Sequence, residues 1–256
     1  MKKLILIIIA LSFVSVCFAA SVQDMHSAVI ASKNADAGVS YDIEETFEGS
    51  EYDNNTCGTA PCVTESDGTA GEVDGNHSTS GLDMPVGSTY CLRLDTARAL
   101  SLEHTPVTAG NYVYYQFKHR YEVALGALEN IALIYNTSES IISTLKIRNT
   151  NEKLFIISTG AAASSDSDLV INADQSAWIK IRYKVGSGGS NAQSCFSTYN
   201  AEWEAWNCDD GTGDNVTNVD RFYLQNTQDN NGVDYNYFDN IQVFVGADDP
   251  FTGAPE

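Results

Sequence analysis

Hydrophobic and polar positions alternate with period two along three stretches of the chain. In Ala177–Val185 the odd positions Ile179, Ile181, Tyr183 and Val185 are apolar, and the even positions are Trp178, Lys180, Arg182 and Lys184. In Asn111–Tyr121 the odd set is Val113, Tyr115, Phe117 and Tyr121, and the even set is Tyr112, Tyr114, Gln116, Lys118 and Arg120. In Ile141–Arg148 the odd set is Ile141, Leu145 and Ile147, with Lys146 and Arg148 opposite. A strand turns successive side chains to opposite faces, so each pattern predicts a strand with its odd set in the core and its even set on a solvated face. Further short β-like runs are Tyr41–Phe47, Tyr90–Asp95, Ala99–Glu103, Asn130–Tyr135, Lys153–Ser158, Leu169–Ile171, Val219–Gln225 and Tyr237–Val245. Clusters of Gly, Asn, Asp and Ser separate them, and no window sustains a helical period. The prediction is an all-β sandwich or barrel in one domain from residue 41 to 247, preceded by a small-residue lead-in at 20–40 and followed by a tail at 248–256.

The three alternating runs carry a chemical consequence. The chain has 14 Lys and Arg, of which Lys2 and Lys3 fall in the leader described next, leaving 12. Seven of those lie on the polar faces of the three strands: Lys118, Arg120, Lys146, Arg148, Lys180, Arg182 and Lys184. If the strands share a sheet, one face of a very acidic protein is lined with cations and with Tyr112, Tyr114 and Trp178. Such a face suits an anionic glycan, with carboxylate or sulfate meeting Arg and sugar rings stacking on aromatics. The same positions also fit ordinary outward-facing strand charges paired with nearby Asp and Glu.

Residues 1–19 have the three-part layout of a secretory signal peptide. Lys2 and Lys3 begin it, Leu4–Val16 is mostly apolar, and small residues precede a cut after Ala19. Cys17 follows the bulky Val16, which argues against a lipidation site. No segment is long enough to insert into a membrane as a helix. Loss of the leader takes the formal net charge from −20 to −22. That acidity repels nucleic acid and anionic membranes and leaves carboxylates free for calcium. The expected location is extracellular or at a bacterial cell surface, with the periplasm as an alternative.

In an oxidising compartment Cys57 with Cys62, and Cys195 with Cys208, read as local disulfides. Cys91 is left over, as a buried thiol or an intermolecular bridge. The Cys195–Cys208 segment carries Tyr199, Trp203 and Trp206 and is expected to be a closed loop with exposed aromatics, a second platform for sugar or protein. At least one tryptophan is expected to fold back onto the end of the sandwich.

The opening Phe47-Glu48-Gly49 with Tyr52-Asp53-Asn54 resembles the first strand and loop of many secreted jelly-roll domains. Trp178 to Lys184 followed by Gly186 to Ala192 resembles a strand–turn–strand element of the concanavalin A-like lectin/glucanase superfamily. Asn218-Val219-Asp220-Arg221 and Tyr237 to Val243 fit its last two core strands. The resemblance covers roughly residues 41–245. It implies a jelly-roll β-sandwich of two antiparallel sheets, one concave. It also implies a structural calcium between the opening strand and an Asp of the last strand, here Glu48 and Asp239. The E-x-D-x-x-E strand of its retaining hydrolases, whose paired carboxylates must stand close together, is not found. Asp42-Ile43-Glu44-Glu45 and Glu202-Trp203-Glu204 are the nearest acidic runs and have the wrong order. The Gln-x-His element of alginate-lyase-like jelly rolls is also missing, and His119 sits on the apolar side of its strand.

The expected function is therefore a secreted, non-catalytic carbohydrate-binding module for a polysaccharide or glycoconjugate, acidic ones included. Its ligand-binding residues are expected among Tyr112, Tyr114, Lys118, Arg120, Trp178, Lys180, Arg182, Trp203 and Trp206. The alternative is an extracellular structural or adhesive subunit that self-associates through its edges and tail. A glycoside hydrolase or polysaccharide lyase is the third reading.

Overall fold

The computed structural model describes residues 40–45, 62–65, 91–94, 99–121, 126–173, 175–186, 192–209, 218–227 and 236–255. They form fourteen strands and, among the described residues, no helix. The strands are β1 (Ile43–Glu45), β2 (Cys62–Glu65), β3 (Leu92–Leu94), β4 (Ala99–Thr108), β5 (Tyr112–Tyr121), β6 (Glu129–Asn136) and β7 (Ile141–Ile147). They continue with β8 (Leu154–Ser158), β9 (Ala177–Lys184), β10 (Gln193–Asn200), β11 (Glu202–Trp203), β12 (Asn207–Cys208), β13 (Asn218–Gln225) and β14 (Asn236–Gly246). One sheet runs β1-β14-β5-β9-β10-β11, with β3 also on β14 and β12 also on β10; the other runs β2-β4-β13-β6-β7-β8. Neighbours in both are antiparallel.

The odd positions of β5 and β9 face the other sheet, as their alternation predicts. Val113, Tyr115, Phe117, Tyr121, Ile179, Ile181 and Tyr183 are all buried in the core. Across the interior Phe222 of β13 stacks on Tyr115, ring centres 4.1 Å apart, and tilts against Phe117 at 5.9 Å. Aromatic side chains bury the largest area per residue, so this cluster anchors the two sheets to each other. The opening and closing strands are held by direct pairing: Ile43 lies opposite Val243, and the Asp42 amide donates to the Val243 carbonyl at 2.8 Å.

Four features differ from the sequence reading. Leu169–Ile171 is not a strand but touches β8's entry through a single bridge, Val170 to Lys153. In β7 the alternation slips at its start: Ile141 is 46% exposed and Ile142 only 2%. The cause is a register shift on β6, where Ile134 faces Ser143 but Tyr135 faces Ile141; the extra residue inverts the parity. More important for function, β7 belongs to the second sheet, so Lys146 and Arg148 do not share a face with the cations of β5 and β9. Arg148 instead pairs with Asp166 at 2.8 Å and covers the Phe155 ring at 3.9 Å. Finally, the Cys195–Cys208 segment is not a loop. It contains most of the eight-residue strand β10, paired along β9 from Thr198–Ile179 to Gln193–Lys184.

At the β8/β10 edge the sheets meet through small polar groups rather than hydrocarbon. Ser194 of β10 donates to Ser143 of β7 at 2.6 Å and shares a hydrogen bond with Ser158 of β8 at 2.7 Å. Asp209 accepts the Ser158 amide at 3.0 Å, the Ser194 amide at 3.3 Å, and the Ser158 hydroxyl. All four residues are buried. A buried carboxylate is tolerated because two amides and a hydroxyl donate to it.

Two histidines are core residues, which is where the strand parity puts His119. His119 Nε2 meets Asn236 Oδ1 at 2.9 Å, and His104 Nε2 meets the Tyr115 hydroxyl at 2.8 Å. Burial is the main influence on both and lowers each from 6.5 to about 4; the bonds to Asn236 and to the Thr105 carbonyl only partly offset it.

Two outcomes follow for stability. Asp209→Ala strands two buried amides and is expected to cost about 3 kcal/mol, seen as a lower urea midpoint at unchanged slope. The histidines titrate near 6.5 unfolded and near 4 folded, so the unfolded chain takes up protons first as pH falls. Their stabilising effect is complete above 6.5 and lost on the way to 4. Each is expected to weaken folding by about 2 kcal/mol between roughly pH 7 and pH 5. Urea unfolding of His119→Gln at both pH values should show that one histidine's share of the loss has disappeared.

Candidate functional site

Because the odd positions of β5 and β9 point inward, their even positions and their partners on β14 and β10 point out from the first sheet. Cross-strand register then sets rows of side chains on that outer face. One row joins Phe244, Tyr114, Arg182 and Cys195. The next joins Glu44, Gln242, Gln116, Lys180 and Ser197. Others join Asp239, Lys118 and Trp178, or Tyr237 and Arg120, or Gly246, Tyr112 and Lys184. Five of the seven expected cations therefore do lie on one face: Lys118, Arg120, Lys180, Arg182 and Lys184.

Aromatic rings accompany each of them. Lys118 Nζ is 5.9 Å from the centre of the Trp178 ring, and the Arg120 guanidinium is 5.8 Å from Tyr237. Arg182 lies between Tyr112 at 5.7 Å and Trp206 at 4.8 Å, and Lys184 Nζ is 5.9 Å from Tyr112. Tyr112 in turn stacks on Tyr114 with ring centres 6.0 Å apart. Ring faces are electron-rich, so each pairing stabilises the cation without consuming its capacity for an anion.

The Cys195–Cys208 disulfide forms as the spacing predicts, between β10 and β12. Its function here is to set the rim of this face. Arg182 Nη2 donates to Cys195 Sγ at 3.3 Å and Cys208 Sγ at 3.8 Å, so the bridge orients the guanidinium. The bridge also holds the 202–206 turn over β9, which brings Trp206 to Arg182. Glu204 fastens the same turn, accepting from the Leu169 amide at 3.0 Å and from Thr198 Oγ1 at 2.5 Å. Glu204 is thus a structural anchor. Glu44 lies at the end of its row, accepting from Gln242 at 3.1 Å, and Asp42 accepts the Thr105 amide at 3.0 Å.

Two expected ligand residues are covered. Tyr114 and Lys180 are buried, with 2% and 4% exposure, although strand parity turns them away from the core. The cover is the chain itself: residues 247–253 leave β14 and cross the face. Tyr114 donates to the Ala247 carbonyl at 3.1 Å, and burial pushes its hydroxyl up to about 12. Lys180 Nζ donates to Asp249 Oδ2 at 2.7 Å and to the Phe251 carbonyl at 2.9 Å. Its ammonium sits 4.6 Å from the centre of Trp203 and 4.7 Å from Trp206. Trp203 lies on this face too, donating from Nε1 to the Gly253 carbonyl at 2.7 Å. Tyr112, Lys118, Arg120, Trp178, Arg182, Lys184 and Trp206 stay half-buried, with part of each open to solvent. Arg182 and Lys184 make no ion pair with any described residue.

Of the expected calcium ligands, Asp239 is buried at a bulge of β14, where its Oδ1 accepts the Asn240 amide at 2.8 Å. Asn240 has φ 46°, in the left-handed region that Asn tolerates better than most residues. Glu48 lies outside the described residues, as do the signal peptide, Cys57 and the side chain of Cys62. Among the described residues no three acidic, histidine or cysteine side chains form a metal cluster, and Asp239 faces Lys118 in the register. One carboxylate opposite a lysine is not by itself a calcium donor set.

No protein family and no curated protein matches this chain by sequence. Solved structures do match by shape. A crystal structure of an HCR/D mutant aligns with TM-score 0.50 at 10% identity, covering 80% of this chain and 48% of its own. A second HCR/D mutant gives 0.50 at 9% identity, covering 82% and 49%. The chain thus spans about half the length of those proteins. An alginate lyase of polysaccharide lyase family 7 aligns with TM-score 0.42 at 13% identity over 72% of this chain and 77% of its own. What the chain has in common with the HCR/D structures is the fold, a jelly-roll-type β-sandwich of two antiparallel sheets.

Proposed function

We propose that this chain is a secreted, non-catalytic carbohydrate-binding protein of the concanavalin A-like kind, and that its ligand is a polysaccharide or glycoconjugate. The observation that carries the proposal is the arrangement at Arg182. Its guanidinium is held between Tyr112 and Trp206, oriented by a disulfide, and left without a carboxylate partner among the described residues. On a chain of formal net charge −20 an arginine with no carboxylate partner among the described residues, beside Lys184, is a local inversion of charge. It offers a planar donor for an acidic group and ring faces for a sugar, the two contacts that a charged glycan needs. Trp178 and Lys118 extend the same face by one more ring and one more cation. The leader-like residues 1–19 and the disulfide support export to an oxidising compartment.

Titration of the mature protein with a panel of neutral, uronate-bearing and sulfated glycans tests the reading. Saturable binding is expected, weakened by salt because the contact is ionic. Arg182→Ala and Trp206→Ala are each expected to weaken it about tenfold, the effect of roughly 1.4 kcal/mol. Lys146→Ala, on the other sheet, is expected to bind like the parent. A folded protein that binds no glycan, or one whose Lys146 variant fails as badly as the Arg182 variant, overturns the assignment. Running the titrations in calcium and again in chelator checks the Glu48–Asp239 expectation through the melting temperature.

A further inference from the structure

Lys180 poses an electrostatic problem that the sheet does not solve. It lies on the outer face of a central strand, flanked across the register by Gln116 and Ser197. The acid at the far end of its row, Glu44, is engaged by Gln242, three strands away. Its ammonium is enclosed by Trp203 and Trp206, and the residue as a whole is 4% exposed. A lysine taken that far out of water needs a carboxylate beside it. The carboxylate comes from outside the sheet, on the segment that follows β14.

That segment is laid across the face like a bound ligand. Gly246 ends β14, and a Cβ there would fall 2.3 Å from the Phe244 ring, so a side chain at this point would require that ring to move. Asp249 is preset by its own turn, Oδ1 accepting the Phe251 amide at 2.8 Å while Oδ2 faces Lys180. Phe251 is buried, its ring parallel to Tyr41 with centres 5.7 Å apart. The remaining contacts use backbone carbonyls: those of Ala247 on Tyr114, Phe251 on Lys180 and Gly253 on Trp203. A carboxylate on the lysine, polar oxygens on a tyrosine and an indole, and a ring on an aromatic are also the contacts of a uronate-containing saccharide.

We infer that Lys180, with Tyr114, Trp203 and Trp206, forms a carboxylate-binding subsite, and that Asp249 is its internal occupant, displaced when a carboxylated glycan extends from Arg182 across the face. The inference rests on the proposed glycan-binding function and names its ligand class. It makes residues 247–253 a gate on the middle of the face, with Arg182, Lys184 and Tyr112 as the part that stays open for first contact.

The test compares the parent with the full-length variant Asp249→Asn/Phe251→Ala. The probe is a galacturonate hexamer, and its methyl ester is the uncharged control. Freed of the segment, the tryptophans are expected to become more accessible to iodide quenching. The variant is expected to bind the hexamer about tenfold more tightly than the parent, with no gain for the ester. Adding Lys180→Met is expected to abolish the gain, and a peptide of residues 247–253 to compete with the hexamer. Unchanged or weaker hexamer binding by a folded variant whose tryptophans have opened overturns the inference; the glycan reading then stands or falls separately on Arg182→Ala. Unchanged quenching also overturns it, because the segment then does not depend on Asp249 and Phe251. If neither protein binds the hexamer but the peptide still binds the variant through Lys180, the internal-occupant inference stands and the glycan reading is lost.

Discussion

The packing of Tyr115 and Phe117 on Phe222 across the interior is the contact on which the rest of the architecture depends. These three rings join the central strand of one sheet to the central strand of the other. Once they are inside, strand geometry leaves no choice for their neighbours: Tyr114, Gln116 and Lys118 must emerge on the far side of the first sheet. Antiparallel register with β9 and β14 then aligns Arg182 with Tyr114 and Lys180 with Gln116. The outer face is thus a consequence of core packing, and a rigid sheet gives its side chains a precision that loops do not.

The two ends of β10 show how polar groups are placed where hydrocarbon is absent. At one face Ser194 reaches through to Ser143 and Ser158, with Asp209 collecting their donors. On the other face Cys195 and Ser197 carry the disulfide and the anchor of the 202–206 turn, the Ser197 hydroxyl donating to the Glu204 carbonyl at 2.7 Å. A single strand therefore closes the sandwich with one set of side chains and positions Trp203 and Trp206 with the other. Small hydroxyl residues suit both tasks, since they allow close approach and still satisfy buried partners.

Charge is distributed unevenly for a reason that the same geometry explains. The chain as a whole is strongly acidic. On the outer face of the first sheet the cations stand against aromatic rings, and Lys180 is buried as well. There burial forces pairing, and the chain supplies Asp249. A buried ion pair is weak evidence of stabilisation, but removing one partner leaves the other charge buried and uncompensated. The segment 247–253 accordingly makes one register of contacts on the face and preorganises the turn that carries both tryptophans.

What the residues determined by themselves was the β class, most of the strands and the facing of β5 and β9. Alternation of Val, Ile, Tyr and Phe with charged residues has one period and one physical meaning, since only one side of such a strand can leave water. The Cys195–Cys208 bridge was legible too, from two cysteines thirteen apart behind a leader-like N-terminal stretch. β10 was not, because Ser194, Ser197 and Thr198 are buried by hydrogen bonding to partners distant in sequence, and no hydrophobic period marks them. The inversion at Ile141 and Ile142 depends on a bulge set by β6. Which cations share a face depends on sheet membership, and β7 went to the other sheet through pairings that local pattern does not encode. Asp248-Asp249-Pro250-Phe251 reads as a polar ending; only the folded chain brings it 69 residues back to Lys180, where a buried ammonium between two indoles needs a carboxylate.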